Sequence, residues 1–369
     1  MKLNVLQENL KNSLNYLQKV IPSKPQIAVL SSILLQVKEN KLTLSATDLY
    51  LGIKTELIVE TEEDGELIVS GELFKSLINS LESGKLTLEL KENNLIITQG
   101  RTVSKLSCQN SDEFPNFPIV EGDAFTLSLN DLEKIQSLVG FCASSDQSRP
   151  VLTAILLKFK QDGLEVIATD GFRLSNLLLK DIGSKQEKTI LIPAKALNEL
   201  YRIAKQIEVE NVDLLVSDEL KQLLFKISGV EMYVRLIEGD YPPYEKIIPP
   251  SFILSIEFDG EEFLTQLKRA AIFSRDASNI VKIKVEKDKM LVTSQSPSFG
   301  DYSGEININN SSAEVGEIAF NVNYLIDFIN AVKPEFLEFG MNESLKPAIF
   351  RDKKTKDYFY IAMPFRVNN

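Results

Sequence analysis

ILLQVKENKLTLSATD, residues 33–48, recurs twice further along the chain, as ILLKFKQDGLEVIATD at residues 155–170 and VKIKVEKDKMLVTSQS at residues 281–296. Each copy alternates apolar with polar residues, breaks at a short polar turn of Lys, Glu, Asp, Asn or Gly, and alternates again. That is the pattern of a β-hairpin. One segment met three times at a spacing of about 120 residues means three tandem repeats, each of ordinary domain size. A chain of 369 residues is also longer than a single core usually grows.

The same parts flank each hairpin. Before the first, Leu6, Leu10, Leu14 and Leu17 fall on one helical face, with Lys11, Asn15 and Lys19 opposite. The counterparts are Asp131 to Cys142, with Leu132, Ile135, Leu138 and Val139 inward, and Glu261 to Phe273, with Phe263, Leu264 and Leu267 inward. Asp259 and Glu262 have the spacing of a capping box. A second helix follows each hairpin: GELFKSLINSLES from Gly71, PAKALNELYRIAK from Pro193 and NVNYLIDFINAVK from Asn321. Pro193 suits a first helical turn and Asn321 a cap. Alternating strands close the repeats at residues 85–108, 212–236 and 336–367. The expected fold class is α+β, each repeat carrying two helices on one face of antiparallel sheet. SDEFPNFPIVEGD from Ser111 and EGDYPPYEKIIPPS from Glu238 read as linkers, which gives domains 1–122, 123–250 and 251–369.

Composition removes whole classes of function. The chain has no histidine, and with it go the usual general base, the activator of serine and cysteine nucleophiles and the commonest zinc ligand. Neither GxGxxG nor GxxxxGK[ST] occurs, so no phosphate-cradling loop is visible. Cys108 and Cys142 are the only cysteines, in unrelated contexts, and read as small core residues, with no disulfide or thiolate metal site. No cofactor and no metal are expected. An apolar content of 44% without a long apolar run, and an alternating start from Met1 to Val20, suggest a cytoplasmic protein without a membrane partner.

A net charge of −11 argues against DNA, unless the cations are segregated on one surface or the protein stays on DNA by something other than affinity. Opposite their apolar stripes the helices carry Lys11, Lys19, Lys75, Lys195, Arg202, Lys268 and Arg269, with Lys205 and Lys333 at the flanks. On one helix this would be an ordinary solvated face. Recurring in all three repeats, it supplies a basic lining if the helices face inward. Such a lining touches phosphates without reading bases. Lys24, in the loop SKP, is a further candidate for phosphate contact or a plain turn residue.

ATDGFRL at residues 168–174, RLIEGDYPPYEKIIP at 235–249, FNVNYLIDFINAV at 320–332 and YIAMPFRV at 360–367 resemble signatures of the bacterial DNA sliding clamps, the beta subunits of DNA polymerase III. The resemblance spans the chain and includes SDEFPNFP and, at residues 269–274, RAAIFS. It implies the DNA clamp fold and a head-to-tail homodimer closed into a ring of six domains, the helices lining a hole for duplex DNA. Its implied partners are the polymerase III catalytic subunit, the clamp loader and repair proteins carrying a short Gln/Leu/Phe-containing motif. Their groove would comprise Arg149, Val151 and Leu152, then Thr169, Gly171, Phe172, Arg173 and Leu174. Pro242, Lys246 and Ile247 would come from the linker, and Asn321, Tyr324, Leu345, Pro347, Met363, Pro364, Phe365 and Arg366 from the third repeat. An apolar pocket with a few polar rim groups is the usual form of a peptide anchor site. Without the resemblance, Leu174, Ile247 and Met363 read as core. Phe172 stands where many clamps have His, and Ser104 where an interface aromatic often occurs, so the ring contact would rest on Leu106, Ile272 and Phe273.

Two other readings remain open at this point. A metal-assisted phosphotransferase would use Asp48 or Asp170, but each ends the repeated hairpin, where a turn role is expected, and no further acids are spaced for Mg²⁺. A structural β-rich repeat protein would need no DNA at all.

Overall fold

Every repeat opens with a strand that the sequence reading does not include, and in repeat one that strand takes Leu6, the first residue of the expected leucine stripe. The computed structural model describes residues 1–184, 187–276, 278–309 and 316–366; Val367 of the closing motif lies outside the described residues. Repeat one runs β1 (Lys2–Leu6), α1 (Gln7–Leu17), β2 (Ser32–Lys38), β3 (Lys41–Thr47), β4 (Leu51–Ile58), β5 (Glu60–Glu63), β6 (Gly65–Ser70), α2 (Gly71–Ser80), β7 (Lys85–Lys91), β8 (Asn94–Gln99) and β9 (Thr102–Gln109). Repeat two runs β10 (Asp123–Ser128), α3 (Leu129–Lys134), β11 (Ala154–Lys160), β12 (Gly163–Thr169), β13 (Arg173–Leu179), β14 (Lys188–Pro193), α4 (Ala194–Ile207), β15 (Asn211–Ser217), β16 (Gln222–Ile227) and β17 (Val230–Arg235). Repeat three runs β18 (Leu254–Asp259), α5 (Gly260–Ser274), β19 (Ile280–Val285), β20 (Lys289–Ser296), β21 (Gly300–Asn307), β22 (Gly316–Asn321), α6 (Val322–Val332), β23 (Phe336–Met341), β24 (Ala348–Asp352) and β25 (Tyr358–Ala362).

All three expected hairpins form, as β2–β3, β11–β12 and β19–β20. The first turns on Glu39 and Asn40, both at positive φ, as a tight two-residue hairpin turn requires. The opening helices differ in detail from the sequence reading. Leu6 belongs to β1 and is exposed, so the inward stripe of α1 begins at Leu10. The helix expected over Asp131 to Cys142 keeps only six α residues before widening into a π turn over Ile135–Val139. Ile135 and Val139 are buried there, while Leu138 turns partly outward. In α5, Phe263 and Leu267 are fully buried and Leu264 lies at the margin. Asp259 does cap α5, accepting from the Glu262 N–H at 2.7 Å. Both cysteines are buried.

By backbone proximity the chain forms two compact bodies, one of Met1–Leu129 with Lys195–Leu236, the other of Asn130–Ala194 with Ile237 onward. A 13-stranded sheet lies in the first, in the order β10-β15-β16-β17-β4-β3-β2-β6-β9-β8-β7-β1-β5. An 8-stranded sheet, β14-β11-β12-β13-β25-β24-β23-β18, and a 4-stranded sheet, β21-β20-β19-β22, lie in the second. Each large sheet contains a seam between repeats. In the first body β4 pairs antiparallel with β17, Leu51 opposite Val234. In the second, β13 pairs with β25, Arg173 opposite Ala362. The partners are equivalent: β4 and β13 directly follow the hairpin, and β17 and β25 end their repeats. In repeat three the strand after the hairpin is β21, which pairs with β20 alone. In repeat one the last strand is β9, which meets β6 only at Cys108 and Gln109. One edge of β21 and the Thr102–Ser107 edge of β9 are therefore unpaired among the described residues.

Candidate functional site

The turn between β12 and β13 is built by its own side chains. Thr169 Oγ1 accepts from the Gly171 N–H (3.0 Å) and donates to the Arg173 carbonyl (2.6 Å). Asp170 Oδ1 accepts from the N–H groups of Phe172 (2.9 Å) and Arg173 (3.0 Å). Gly171 sits at φ 92°, where a β-carbon is disfavoured, which explains a glycine there. Asp170 is thus a turn residue, and Asp48 does the same work in repeat one, accepting from Tyr50 (2.9 Å) and Leu51 (2.7 Å). No group of three or more potential metal ligands occurs among the described residues.

With its backbone held so, Phe172 points outward and Arg173 inward. The Arg173 guanidinium meets Asp170 through Nε (3.0 Å) and Asp327 of α6 through Nη1 (2.7 Å). It also lies over the rings of Tyr324 (4.8 Å) and Phe141 (5.6 Å). Burial works against its charge, but the carboxylate of Asp327 and the other nearby acids outweigh that and hold it protonated above its ordinary range. A guanidinium so enclosed joins the turn of repeat two to the helix of repeat three. Phe172 stacks on Tyr324 with centroids 6.4 Å apart, and its carbonyl accepts from the Met363 N–H at 2.8 Å. The Phe365 N–H donates to the Ala319 carbonyl at 2.7 Å, anchoring the chain beyond β25. Asn321 caps α6, its side-chain oxygen accepting from Asn323 at 3.0 Å.

Beneath this rim lies an apolar floor. Leu174, Leu156, Tyr244, Ile349 and Ile361 form one buried cluster, with Val151 and Ile247 packed against it. Leu174 is 0% exposed, so it supports the floor from within and has no surface of its own to offer. Leu152 and Thr169 are also buried, while Met363, Pro364, Phe365 and Pro347 are partly open. Arg149, Pro242, Lys246, Leu345 and Arg366 are exposed. Arg149 Nη1 comes within 3.9 Å of where a β-carbon on Gly171 would stand. The structure thus gathers Arg149, Thr169, Gly171, Phe172, Arg173, Tyr324 and Met363 around one rim, over a floor that includes Val151, Leu174 and Ile247. Sequence reasoning missed Asp327, Phe141 and Tyr244, which hold that rim and floor. The ATD repeat was the one available signal, and only for Asp170.

The basic helix faces are less uniform than their sequence suggests. Glu199 of α4, 8% exposed, stands among them, 3.8 Å from Lys19 Nζ and 3.5 Å from Arg202 Nη1. Lys75 of α2 is partly buried, and that burial, with Lys19 close by, lowers its pKa. Lys11, Lys24, Lys195, Lys268, Arg269 and Lys333 are exposed. Lys205 Nζ reaches the Tyr201 hydroxyl at 3.0 Å. Of the three interface candidates, Leu106 is partly buried on the unpaired stretch of β9, and Ile272 is 60% exposed on α5. Phe273 stacks on Tyr302 with centroids 6.1 Å apart.

Tandem repeats joined by strand pairing, each with two helices, define a DNA clamp fold. The sliding clamp of Bacillus subtilis superimposes with a TM-score of 0.93 at 24% identity, covering 100% of both chains. The DNA polymerase III beta subunit of Thermotoga maritima does so with a TM-score of 0.91, also at 24% identity and covering 100% of both. The chain belongs to the DNA polymerase III beta subunit family. Its residues 1–118, 126–243 and 245–366 match the N-terminal, central and C-terminal domain models of that family in order. Among relatives, the beta sliding clamp of Staphylococcus epidermidis is 27% identical over 377 residues, 99% of each chain. That of Staphylococcus aureus is 27% identical over 379 residues, again 99% of each.

Proposed function

We propose that the protein is a DNA sliding clamp: a head-to-tail dimer, closed into a ring around duplex DNA, that tethers polymerases without catalysing a reaction. Family membership supports the general reading. The observation that carries the ring is the recurring seam. β4 takes β17 and β13 takes β25, so the third strand of this kind, β21, requires the last strand of a repeat one, and the open edge of β9 on a second copy supplies it. Leu106, Ile272 and Phe273 would be buried by that contact. A heterologous joint that closes after two copies gives a ring, and a ring stays on DNA by topology, which suits a chain of net charge −11.

In this reading the domains are 1–122, 123–250 and 251–369, and the protein works in the cytoplasm. Lys11, Lys19, Lys24, Lys75, Lys195, Arg202, Lys205, Lys268, Arg269 and Lys333 contact phosphate. The rim around Phe172, Arg173, Tyr324 and Met363 receives short motifs with Gln, Leu and Phe from the polymerase III catalytic subunit, the clamp loader and repair proteins. Its partly open apolar wall above a closed floor supports such anchoring. The deciding experiment measures mass in solution and retention on DNA after loading. A dimer held on circular but not on linear DNA is expected, and a stable monomer at micromolar concentration would overturn the ring.

A further inference from the structure

The first seam carries a turn of the same build as the second. In ATDLYLG, residues 46–52, Thr47 Oγ1 accepts from the Leu49 N–H (2.9 Å) and donates to the Leu51 carbonyl (3.0 Å). Arg235 N–H donates to the Tyr50 carbonyl at 2.8 Å, as Met363 N–H does to that of Phe172. Above β4 and β17 lies a cleft of about 200 Å³. Phe117 of the linker forms its floor, packed edge-on against Tyr233 at 4.9 Å and so close over Gly52 that a β-carbon there would come within 2.5 Å of the ring. Large apolar groups stand open at the rim: Leu49 is 47% and Tyr50 69% exposed, and Ile119, next in the chain to the lining residue Pro118, is 82% exposed.

Two departures from the second seam set what this cleft can hold. Leu49 occupies the place of Gly171 yet keeps φ 76°, a conformation that a β-carbon resists. Strain retained at an exposed side chain points to a use for that side chain. Arg235 occupies the place of Met363, lines the cleft, is exposed, and has no ion pair among the described residues. An apolar wall has become a cation.

We propose that this cleft is a second peptide-docking site. Its occupant is an extended segment of another protein in which an Asp or Glu adjoins a large apolar side chain, the apolar group resting on Leu49, Tyr50 and Phe117 and the carboxylate on Arg235. On a chain of net charge −11, Arg235 at the cleft, with the Lys54 ammonium 4.6 Å from the centre of the Phe117 ring, favours an acidic segment there over a neutral one. The proposal borrows its peptide chemistry from the groove at the second seam, so the test reads the two sites apart.

The full-length protein, labelled at leucine methyl groups, is titrated with acetyl-Phe-Glu-Leu-amide and, in parallel, with acetyl-Phe-Gln-Leu-amide. The Leu49 and Leu51 signals are expected to shift with the Glu peptide at about tenfold lower concentration than with the Gln peptide, and Arg235→Gln should erase the difference. Leu49→Gly keeps the turn, since Gly171 serves in its counterpart, and should weaken the response read at Leu51. Leu49 and Leu51 signals unmoved by either peptide, or moved equally by both, would overturn the proposal. Leu345 reports the second groove: movement there without movement at Leu49 rejects this site alone, and the reverse rejects only the groove reading.

Discussion

Met363 and Leu174 both came out of the sequence as groove residues, and burial separates them. Met363 is partly open beyond the end of β25, so Met363→Ala trims the rim without hollowing the core. A central anchor costs about 2 kcal/mol on truncation, or roughly thirtyfold in affinity, which calorimetry with a polymerase-derived peptide would register while the melting temperature stays near that of wild type. Leu174→Ala empties a fully buried site and should lower stability by about 2–5 kcal/mol, read as a fallen urea midpoint. Equal peptide affinity for wild type and Met363→Ala would place the groove elsewhere. Glu165 offers a pH-dependent test. Burial raises its pKa, but the bonds from Lys160 (2.5 Å) and Asn176 (2.7 Å) outweigh that and hold it below the ordinary value. A carboxylate depressed in the folded state stabilises above its unfolded pKa of about 4.3, and that stability disappears as pH falls through the lower folded value. Glu165→Gln should therefore destabilise at neutral pH and flatten the acid limb of stability against pH, an expectation that parallel limbs for both proteins would refute.

Among the elements, the hairpins were plain in the sequence because alternation on both sides of a polar turn admits few other structures. The first opening strand was not, since β1 spans five residues and ends at Leu6, which also fits the leucine spacing of α1. The π turn in the second opening helix was equally hidden, because widening by one residue leaves Ile135 and Val139 inward and alters only where Leu138 points. The seams could not be read at all: β4 and β17 lie far apart in the chain, and an edge strand looks like any other until its neighbour is known. For the same reason the ion pair of Arg173 with Asp327, 154 residues away, had no signal in either segment. At this scale Ile272 and Phe273 on α5 can be tested together. Truncating both to alanine should remove a few kcal/mol of apolar burial from each joint between copies, since each CH₂ is worth about 0.8 kcal/mol. Sedimentation should then show the dimer dissociating at a higher concentration than wild type, and an unchanged dimer would exclude α5 from the joint.

For the whole molecule the distribution of charge matters more than its sum. Arg202, Lys268 and Arg269 are exposed on α4 and α5, and reversing all three to glutamate should leave the fold intact while weakening the hold on phosphate. For every phosphate no longer neutralised, the slope of log affinity against log salt falls in magnitude by about 0.9. The triple variant should load more slowly and show a shallower salt dependence, and a sequence-selective footprint for the wild type would contradict binding through phosphate alone. Glu199 already tempers this surface beside Lys19 and Arg202, so Glu199→Gln should steepen the salt dependence slightly. The open edges of β9 and β21 have a further consequence, for polymerisation. If copies meet through these edges as proposed, a joint between unlike edges carries no instruction to stop at two copies: it closes into a ring only where its rotation closes, and otherwise runs on. In the proposed ring, a linker change in residues 238–250 that altered that rotation would bring the returning edge out of line with its partner. The chain would then grow as a spiral filament, every β9 still satisfied by a β21, and electron micrographs of such variants would show fibres in place of closed rings.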